Sequence, residues 1–438
     1  MYEKDYLCSK DNFCKIATTD IDGILRGKYI NKSKLEKSIE SNSLGFCSCI
    51  YAWDSNDTTY NVKCSGEHTG HHDFNGSIDV NSKRYIPWEN NIELYLFDFP
   101  KQEQCPRNLL RNIEKKANEL NLYPNFGLEY EWYNIKRSTF GTTNEPITNG
   151  MAGYSILRTS ENRLFFNTVL ENMSLFNIDL EAFHTETGPG FLEASIFPNT
   201  ALKSADNGIL FKNSIKELCH NTEIFPTFMA KPRSDLQGCG GHIHQSIVNL
   251  MGENIFYNKD DTNCMSDTMK SFIAGQLYCF PYIIPMLAPT INSYKRFISN
   301  AWAPTILNWG IDNRCSAFRV INSSPSSMRV ECRISGADTN PYLAISACLA
   351  SGLYGILNKM ELKIPPISGS GNDGGCNNQF KLPTSLFEAT QIMEKSQISH
   401  ELFGSEFVSH FVKTRYHECK LYQNAVTDWE INRYSEYV

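Results

Sequence analysis

Along the first hundred residues, short apolar runs are broken at close intervals by turn residues. Phe13 to Thr18, Ser48 to Trp53 and Ile92 to Phe99 have the composition of strands, and Asp22-Gly23, Asn75-Gly76 and Ile86-Pro87 punctuate them. The pattern changes between Pro100 and Pro106. Leu109 to Leu120 then places apolar residues at helical spacing, which predicts an amphipathic helix and a domain boundary just before it, dividing the chain into 1–104 and 105–438. Beyond the boundary, Phe126 to Tyr133, Gly241 to Val248 and Met328 to Ile334 read as strands. Leu164 to Met173, Ala205 to Cys219, Ser266 to Leu287 and Pro341 to Leu357 read as helices. The Gly/Asn-rich stretch from Ser368 to Asn378 reads as a loop, and Pro383-Thr384 as the start signal for a helix over Leu386 to Lys395. This order predicts an α+β fold rather than a regular βαβ alternation.

Composition narrows the function classes. With 438 residues and 41% hydrophobic content the chain can bury a large core, and disorder is excluded for most of it. Forty-eight acidic against 41 basic residues argue against a general nucleic-acid or anionic-membrane binder. No run approaches 18 consecutive apolar residues, and Met1 to Lys15 has no apolar core of a secretory signal. The fifteen cysteines are scattered and form no CxxC pair, which leaves a zinc ribbon unsupported. Reduced thiols in a cytoplasmic protein are the expectation.

Four segments carry chemistry. In Gly127-Leu128-Glu129-Tyr130-Glu131-Trp132-Tyr133, a strand would project Glu129 and Glu131 together, opposite Leu128, Tyr130 and Trp132. In His184-Thr185-Glu186-Thr187-Gly188-Pro189-Gly190-Phe191-Leu192-Glu193, two carboxylates flank a rigid turn and can converge. Gly238-Cys239-Gly240-Gly241-His242-Ile243-His244 feeds a glycine-rich loop into a strand with both histidines on one side, though such a loop alone is weak evidence for phosphate. Arg329-Val330-Glu331-Cys332-Arg333 sets Arg329, Glu331 and Arg333 on one face, downstream of Asn292-Ser293-Tyr294-Lys295-Arg296 and Asn313-Arg314-Cys315-Ser316-Ala317-Phe318-Arg319. Singly, each has a plain structural explanation: a solvated strand edge, a capped hairpin, a core histidine, a surface ion-pair ladder. Jointly they aim glutamates, imidazole and arginines at one side of several strands. Clustered glutamates repel unless cations neutralise them, and a carboxylate-rich set suits Mg²⁺ or Mn²⁺. Arginines beside such metals suit phosphate and carboxylate, which points to phosphoryl transfer from a nucleotide.

In their order, these motifs resemble the glutamine synthetase family, well over residues 105 to 438 and more loosely at Asp20-Ile21-Asp22-Gly23-Ile24-Leu25-Arg26-Gly27-Lys28. The resemblance implies a small N-terminal β-grasp-like domain, and a larger catalytic domain built on a curved antiparallel sheet flanked by helices. It also implies homo-oligomeric rings with active sites between subunits. Glu131, Glu186 and Glu193 would hold one divalent cation and Glu129, His242 and Glu331 a second, with two or three Mg²⁺ or Mn²⁺ per site. Arg319 and Arg333 would contact the transferring phosphoryl group, Arg296 and Arg314 the oxygens of glutamate and phosphate. Gly238 would lie in the glutamate loop, and His184, His244, Ser246 and Arg329 near the nucleotide. The implied reaction is ATP-dependent: glutamate is activated as its γ-glutamyl phosphate, and an amine or ammonia displaces phosphate.

Departures from the pattern bear on the acceptor. Ammonia-using members carry a flap glutamate in a Gly-Tyr-Glu-Ala-Pro context; here the flap reads Ser299-Asn300-Ala301-Trp302-Ala303-Pro304, with Trp302 in that place. No Asp-Gly-Ser-Ser motif is found near the N-terminus, and Gln237 stands where Asn is usual. The chain is thus similar to the γ-glutamylpolyamine and γ-glutamylamide synthetase branch, where an aromatic wall accepts the alkyl part or the cation of an organic amine. Ammonia as acceptor, or a non-catalytic ring that kept the fold, are the alternatives. His68, His71, His72 and Asp73 form a separate cluster, read either as a solvated loop or as an amine-specificity loop.

Overall fold

The computed structural model describes residues 12–298, 302–369, 381–436 and 438. Flap residues Ser299, Asn300 and Ala301, and the loop expected over Ser368 to Asn378 from position 370 onward, lie outside the described residues. In chain order the elements are β1 (Phe13–Thr19), β2 (Leu25–Asn31), α1 (Lys32–Glu40), β3 (Leu44–Cys47), β4 (Asp73–Ile86), β5 (Ile92–Asp98), α2 (Pro106–Glu119) and β6 (Tyr123–Lys136). There follow α3 (Ile156–Glu161), α4 (Arg163–Leu175), β7 (Leu180–Thr185), β8 (Phe191–Thr200), α5 (Ala201–Leu218), β9 (Ile224–Thr227) and β10 (Gly241–Val248). Then come α6 (Asp267–Cys279), β11 (Trp309–Ile311), β12 (Phe318–Ile321), β13 (Arg329–Cys332) and α7 (Pro341–Leu357). The last helices are α8 (Leu386–Lys395), α9 (Gln397–Phe403), α10 (Ser405–Asn424) and α11 (Asp428–Tyr434).

Two sheets organise the chain, as the α+β expectation requires. The first has the order β2-β1-β5-β4-β3. Its β5 shows why one sheet can serve two cores: Leu94 and Leu96 point into the large core, while Tyr95 and Phe97 point into a smaller cluster with Ile30, Leu35, Leu44 and Phe74. The second sheet has eight strands in the order β11-β12-β13-β10-β6-β8-β7, with β9 paired to β6, and is antiparallel except at β11–β12. Behind it runs α7, capped by the Asn340 side chain with Pro341 at the first turn, and buried along nearly its whole length. Among the described residues no helix is long and apolar enough to cross a membrane.

Several boundaries differ from the sequence reading: β6 and α2 begin three residues earlier and α5 four, and three further differences have a clear cause. The strand expected over Ser48 to Trp53 lies earlier, at Leu44–Cys47, and Ser48–Tyr51 is a 3₁₀ turn. Hydrogen bonding explains the shift: Ser48 N–H donates to the His72 carbonyl, and Ile50 and Tyr51 turn inward to full burial. The helix expected over Ser266 to Leu287 stops at Cys279, because Pro281 and Pro285 break it into two 3₁₀ turns. The strand over Met328 to Ile334 is trimmed to Arg329–Cys332.

Buried polar contacts weld the first sheet to the rest. Arg107 of α2 bonds Asp206 twice (both 2.9 Å), Asp98 (3.0 Å) and Asp79 (2.7 Å), joining α2, α5, β5 and β4. Asn340 donates to the carbonyls of Asp20 and Ile21, and Arg415 of α10 pairs with Asp22.

Candidate active site

Strand register assembles the site. On β6, Glu129 sits opposite His242 of β10, and Glu131 opposite Glu193 of β8. Farther out, Glu193 faces His184 of β7; on the other side His244 faces Glu331 of β13, which faces Arg319 of β12. Six strands therefore lay one continuous row of carboxylates, imidazoles and an arginine across a single face. Glutamates placed directly opposite one another, as Glu131 and Glu193 are, destabilise a ladder unless something positive lies between them.

The row curves around a cavity of about 280 Å³. Of the residues singled out from sequence, Glu129, Glu131, Glu186, Glu193, Gly238 and His242 line it, as do Arg296, Trp302, Arg314, Arg319 and Arg333. Glu331 lies just behind the wall, 1% exposed. His184, His244, Ser246 and Arg329 are not in the wall: His184 packs behind Glu193, while the other three extend along β10 and β13.

Hydrogen bonds fix the geometry. His242 Nδ1 is 2.8 Å from Glu129 Oε1 and 3.5 Å from Glu331 Oε1. Glu131 accepts the Gly240 N–H, and Ser195 donates to Glu129. Arg319 Nη1 donates to Glu331 at 3.0 Å and Arg333 Nη1 to its other oxygen, so both arginines lean on one buried carboxylate. Arg319 also bonds Asp312 at 2.6 Å. Arg296 is buried, with Nη1 and Nη2 donated to the carbonyls of Ile334 and Arg333. Arg329 Nε donates to His244 Nδ1 at 3.1 Å. The glycine-rich loop has a packing cause: a methyl group at Gly238 would lie 2.7 Å from Arg296 Cγ, and one at Gly240 only 2.4 Å from His242 Nε2.

Electrostatics show how the charge is shared. Burial raises Glu331, yet Arg333, His244 and His242 outweigh it and bring the carboxyl down to about 2. Burial likewise opposes the ionised form of Glu129, but His242 and His244 hold it well below the ordinary range. Glu193 goes the other way: burial, reinforced by Glu129 and Glu131, pushes it up to about 8 against the pull of His184. Burial lowers His184, and bonding to Glu193 more than reverses that.

The donor set fits hard divalent cations. Two triads bring their ligand atoms within 4.8 Å of one another: Glu129, His244 and Glu331, and His184, Glu186 and Glu193. Relative to the sets implied by resemblance, His184 stands in for Glu131 and His244 for His242; the two displaced residues are tied at Gly240 and Glu129 and remain in the same cavity.

Sequence reasoning missed Tyr154. It lines the cavity, stacks on His184 at 4.5 Å and holds φ +53°, a left-handed backbone rare for an aromatic residue. Nothing in its neighbourhood of turn-forming residues distinguishes it in sequence. Phe191 and Thr187 also line the cavity, and the His68–Asp73 cluster is absent from its wall.

A family profile described as "Glutamine synthetase, catalytic domain" matches residues 103–434. The chain belongs to the glutamine synthetase family. It is 47% identical over 444 positions to type-1 glutamine synthetase 2 of Dictyostelium discoideum, covering 98% of this chain and 85% of that protein. It is 34% identical to a glutamate–isopropylamine ligase of a Pseudomonas species, covering 97% and 95%. With the γ-glutamylethanolamide synthetase GlnA4 of Streptomyces coelicolor it shares 30% identity over 95% and 91%. The solved structure titled "Apo GmaS without ligand" superposes with a TM-score of 0.85 over the whole of both chains at 22% identity, the same fold. This glutamine synthetase family member is thus an ATP-dependent ligase by family, with relatives named for both ammonia and organic-amine products.

Proposed function

We propose that the protein joins the γ-carboxylate of glutamate to an organic amine, with ATP as co-substrate and ADP and phosphate as products. The observation that carries this reading is that Trp302, 62% exposed, shares one cavity with the carboxylates and the arginines. An aromatic face beside the reacting centre favours an alkylammonium or its alkyl chain over bare ammonium.

In this reading Glu131, Glu186 and Glu193 hold one divalent cation and Glu129, His242 and Glu331 another, two or three Mg²⁺ or Mn²⁺ per site, with His184 and His244 near enough to contribute. Bound cations would neutralise the phosphate oxygens of ATP. Arg319 and Arg333 flank the transferring phosphoryl group, while Arg296, Arg314 and the Gly238 loop hold glutamate. His184, His244, Ser246 and Arg329 lie toward the nucleotide. A γ-carboxylate oxygen of glutamate bonds to the terminal phosphorus as ADP leaves. The amine nitrogen then bonds to the acyl carbon, a proton leaves the nitrogen, and phosphate departs. Arginines preplaced on these oxygens lower the barrier because they need no reorganisation as charge moves.

We further read 1–104 and 105–438 as the two domains, supported by the separate sheets and by the profile match beginning at 103. A homo-oligomeric ring with shared active sites is proposed on family grounds. A cytoplasmic location is proposed because all thirteen described cysteines are free. A second reading, ammonia as acceptor, is favoured by the name of the 47% identical relative.

The deciding experiment is phosphate release from ATP with glutamate, Mg²⁺ or Mn²⁺, and ammonium, methylamine, ethanolamine, isopropylamine, putrescine or spermidine. Turnover with an organic amine well above ammonium is expected. Preference for ammonium selects the second reading, and silence with every acceptor in properly assembled protein shifts weight to an amine outside this panel or to a non-catalytic ring.

A further inference from the structure

Arg319 lines the cavity from β12, and its guanidinium is held from two sides. On the buried side Nη1 donates to Glu331 at 3.0 Å. On the solvent side Nε and Nη2 both donate to one oxygen of Asp312, Oδ1, at 3.0 and 2.6 Å. The two carboxylates differ in kind. Glu331 is buried and also serves Arg333, whereas the Asp312 side chain is 69% exposed. Asp312 follows β11 directly, and its N–H donates to the Val320 carbonyl at 2.8 Å, which anchors it beside Arg319. Its φ of +46° lies in the left-handed region, where aspartate and asparagine are better tolerated than most residues.

An exposed ion pair adds little to stability, so the use of this one is to be sought in what it does to the arginine. A guanidinium has five N–H donors in a planar fork. The three bonds leave one donor on Nη1 and one on Nη2, a pair that matches two oxygens of a phosphoryl group. Held by Glu331 alone, the guanidinium would pivot on one bond. Held by Asp312 as well, it keeps one orientation.

We propose that Asp312 is a positioning residue for phosphoryl transfer: it fixes Arg319 from the solvent side, so that the two remaining N–H groups are already placed for the oxygens of the transferring group. The inference rests on the ligase reading and on the part Arg319 plays in it. Asp312 itself touches no reacting atom. A loosened Arg319 must be reordered as charge develops, which lowers the rate and leaves substrate binding alone.

The test compares two variants of the full-length protein. Asp312→Gly removes both bonds, and glycine accepts the left-handed backbone. Asp312→Asn keeps an acceptor oxygen in the place of Oδ1. For each, kcat, KM for ATP, KM for glutamate and melting temperature are measured with two acceptors on which the wild-type protein turns over. For Asp312→Gly the expected kcat is about tenfold lower with both acceptors, with both KM values within about twofold of wild type. For Asp312→Asn the expected kcat is within about threefold of wild type, and both variants should melt within about 3 °C of it. A kcat for Asp312→Gly within about twofold of wild type overturns the proposal. Equal losses in the two variants overturn it as well, because the acceptor oxygen would then not matter. A loss confined to one acceptor overturns it by placing Asp312 at the acceptor instead. These three outcomes leave the ligase reading intact. Wild-type protein without turnover on any acceptor undercuts the ligase reading, and the inference falls with it.

Discussion

Replacing Trp302 by glutamate tests what selects the acceptor. Two terms change. Removing the aromatic face costs an alkylammonium about 0.5–1 kcal/mol, the value for a solvent-accessible cation–π contact, because Trp302 is 62% exposed. Adding a carboxylate at about 5 Å from a cation supplies roughly 1–3 kcal/mol between water-like and surface dielectrics. Exposure keeps that gain near the low end, and Arg314, which lines the same cavity, would pair with the new carboxylate and take part of it. The carboxylate attracts ammonium and an alkylammonium alike, so the change in preference comes from the lost aromatic face, about 0.5–1 kcal/mol or a roughly two- to fivefold shift toward ammonium in the ratio of kcat/KM values. The assay is phosphate release with ammonium and with the best organic amine, compared at equal concentrations of unprotonated acceptor. A ratio within about 1.5-fold of wild type would refute the assignment of Trp302 to the acceptor pocket.

Glu331→Gln leaves Arg319 and Arg333 facing a neutral amide and removes a proposed cation ligand, so ATP-dependent turnover should fall by about two to three orders of magnitude with unchanged circular dichroism; turnover above a tenth of wild type would contradict the assignment. Arg107→Met strips the shared counter-ion from three aspartates, and with Arg111 still bonded to Asp79 and Asp98 the cost should be about 3 kcal/mol, read as a lower denaturation midpoint in urea; a loss below about 1 kcal/mol would show the cluster to be dispensable. His410, buried against Tyr51, has its pKa lowered by burial to about 3. Below its unfolded value near 6.5 the unfolded chain binds a proton that the folded one refuses, so stability is complete above pH 6.5 and declines as pH falls toward 3, by about 2 kcal/mol at pH 5. His410→Phe should remove that share of the slope in melts between pH 7 and pH 5, and an identical slope in both proteins would refute it.

The site was legible in sequence to the extent that it depends on strand alternation. Glu129 and Glu131 had to share a face once β6 was a strand, and the same rule set Arg329, Glu331 and Arg333 together. Register was not legible. That Glu129 faces His242 rather than His244, or that Glu331 sits between Arg319 and His244, follows from pairings between strands far apart in the chain. Asp312, which bonds Arg319, comes from the turn after a three-residue strand too short to signal itself. The misplaced strand at Ser48 to Trp53 has a similar cause: its apolar residues are buried, as expected, but by a turn that the His72 carbonyl and the Ser65 hydroxyl hold in place. Tyr154 escaped notice because its value lies in a backbone angle, and sequence carries angles only where glycine or proline writes them.

The pairing of Asp22 with Arg415 spans 393 residues of chain. Its consequence concerns synthesis. A ribosome adding about 5–20 residues per second needs roughly 20–80 s to travel that far. Throughout that interval the turn between β1 and β2 exists without α10, and the carbonyls of Asp20 and Ile21 also wait for the side-chain amide of Asn340 to donate to them. The nascent N-terminal sheet must therefore persist with one corner open until α10 emerges to close it.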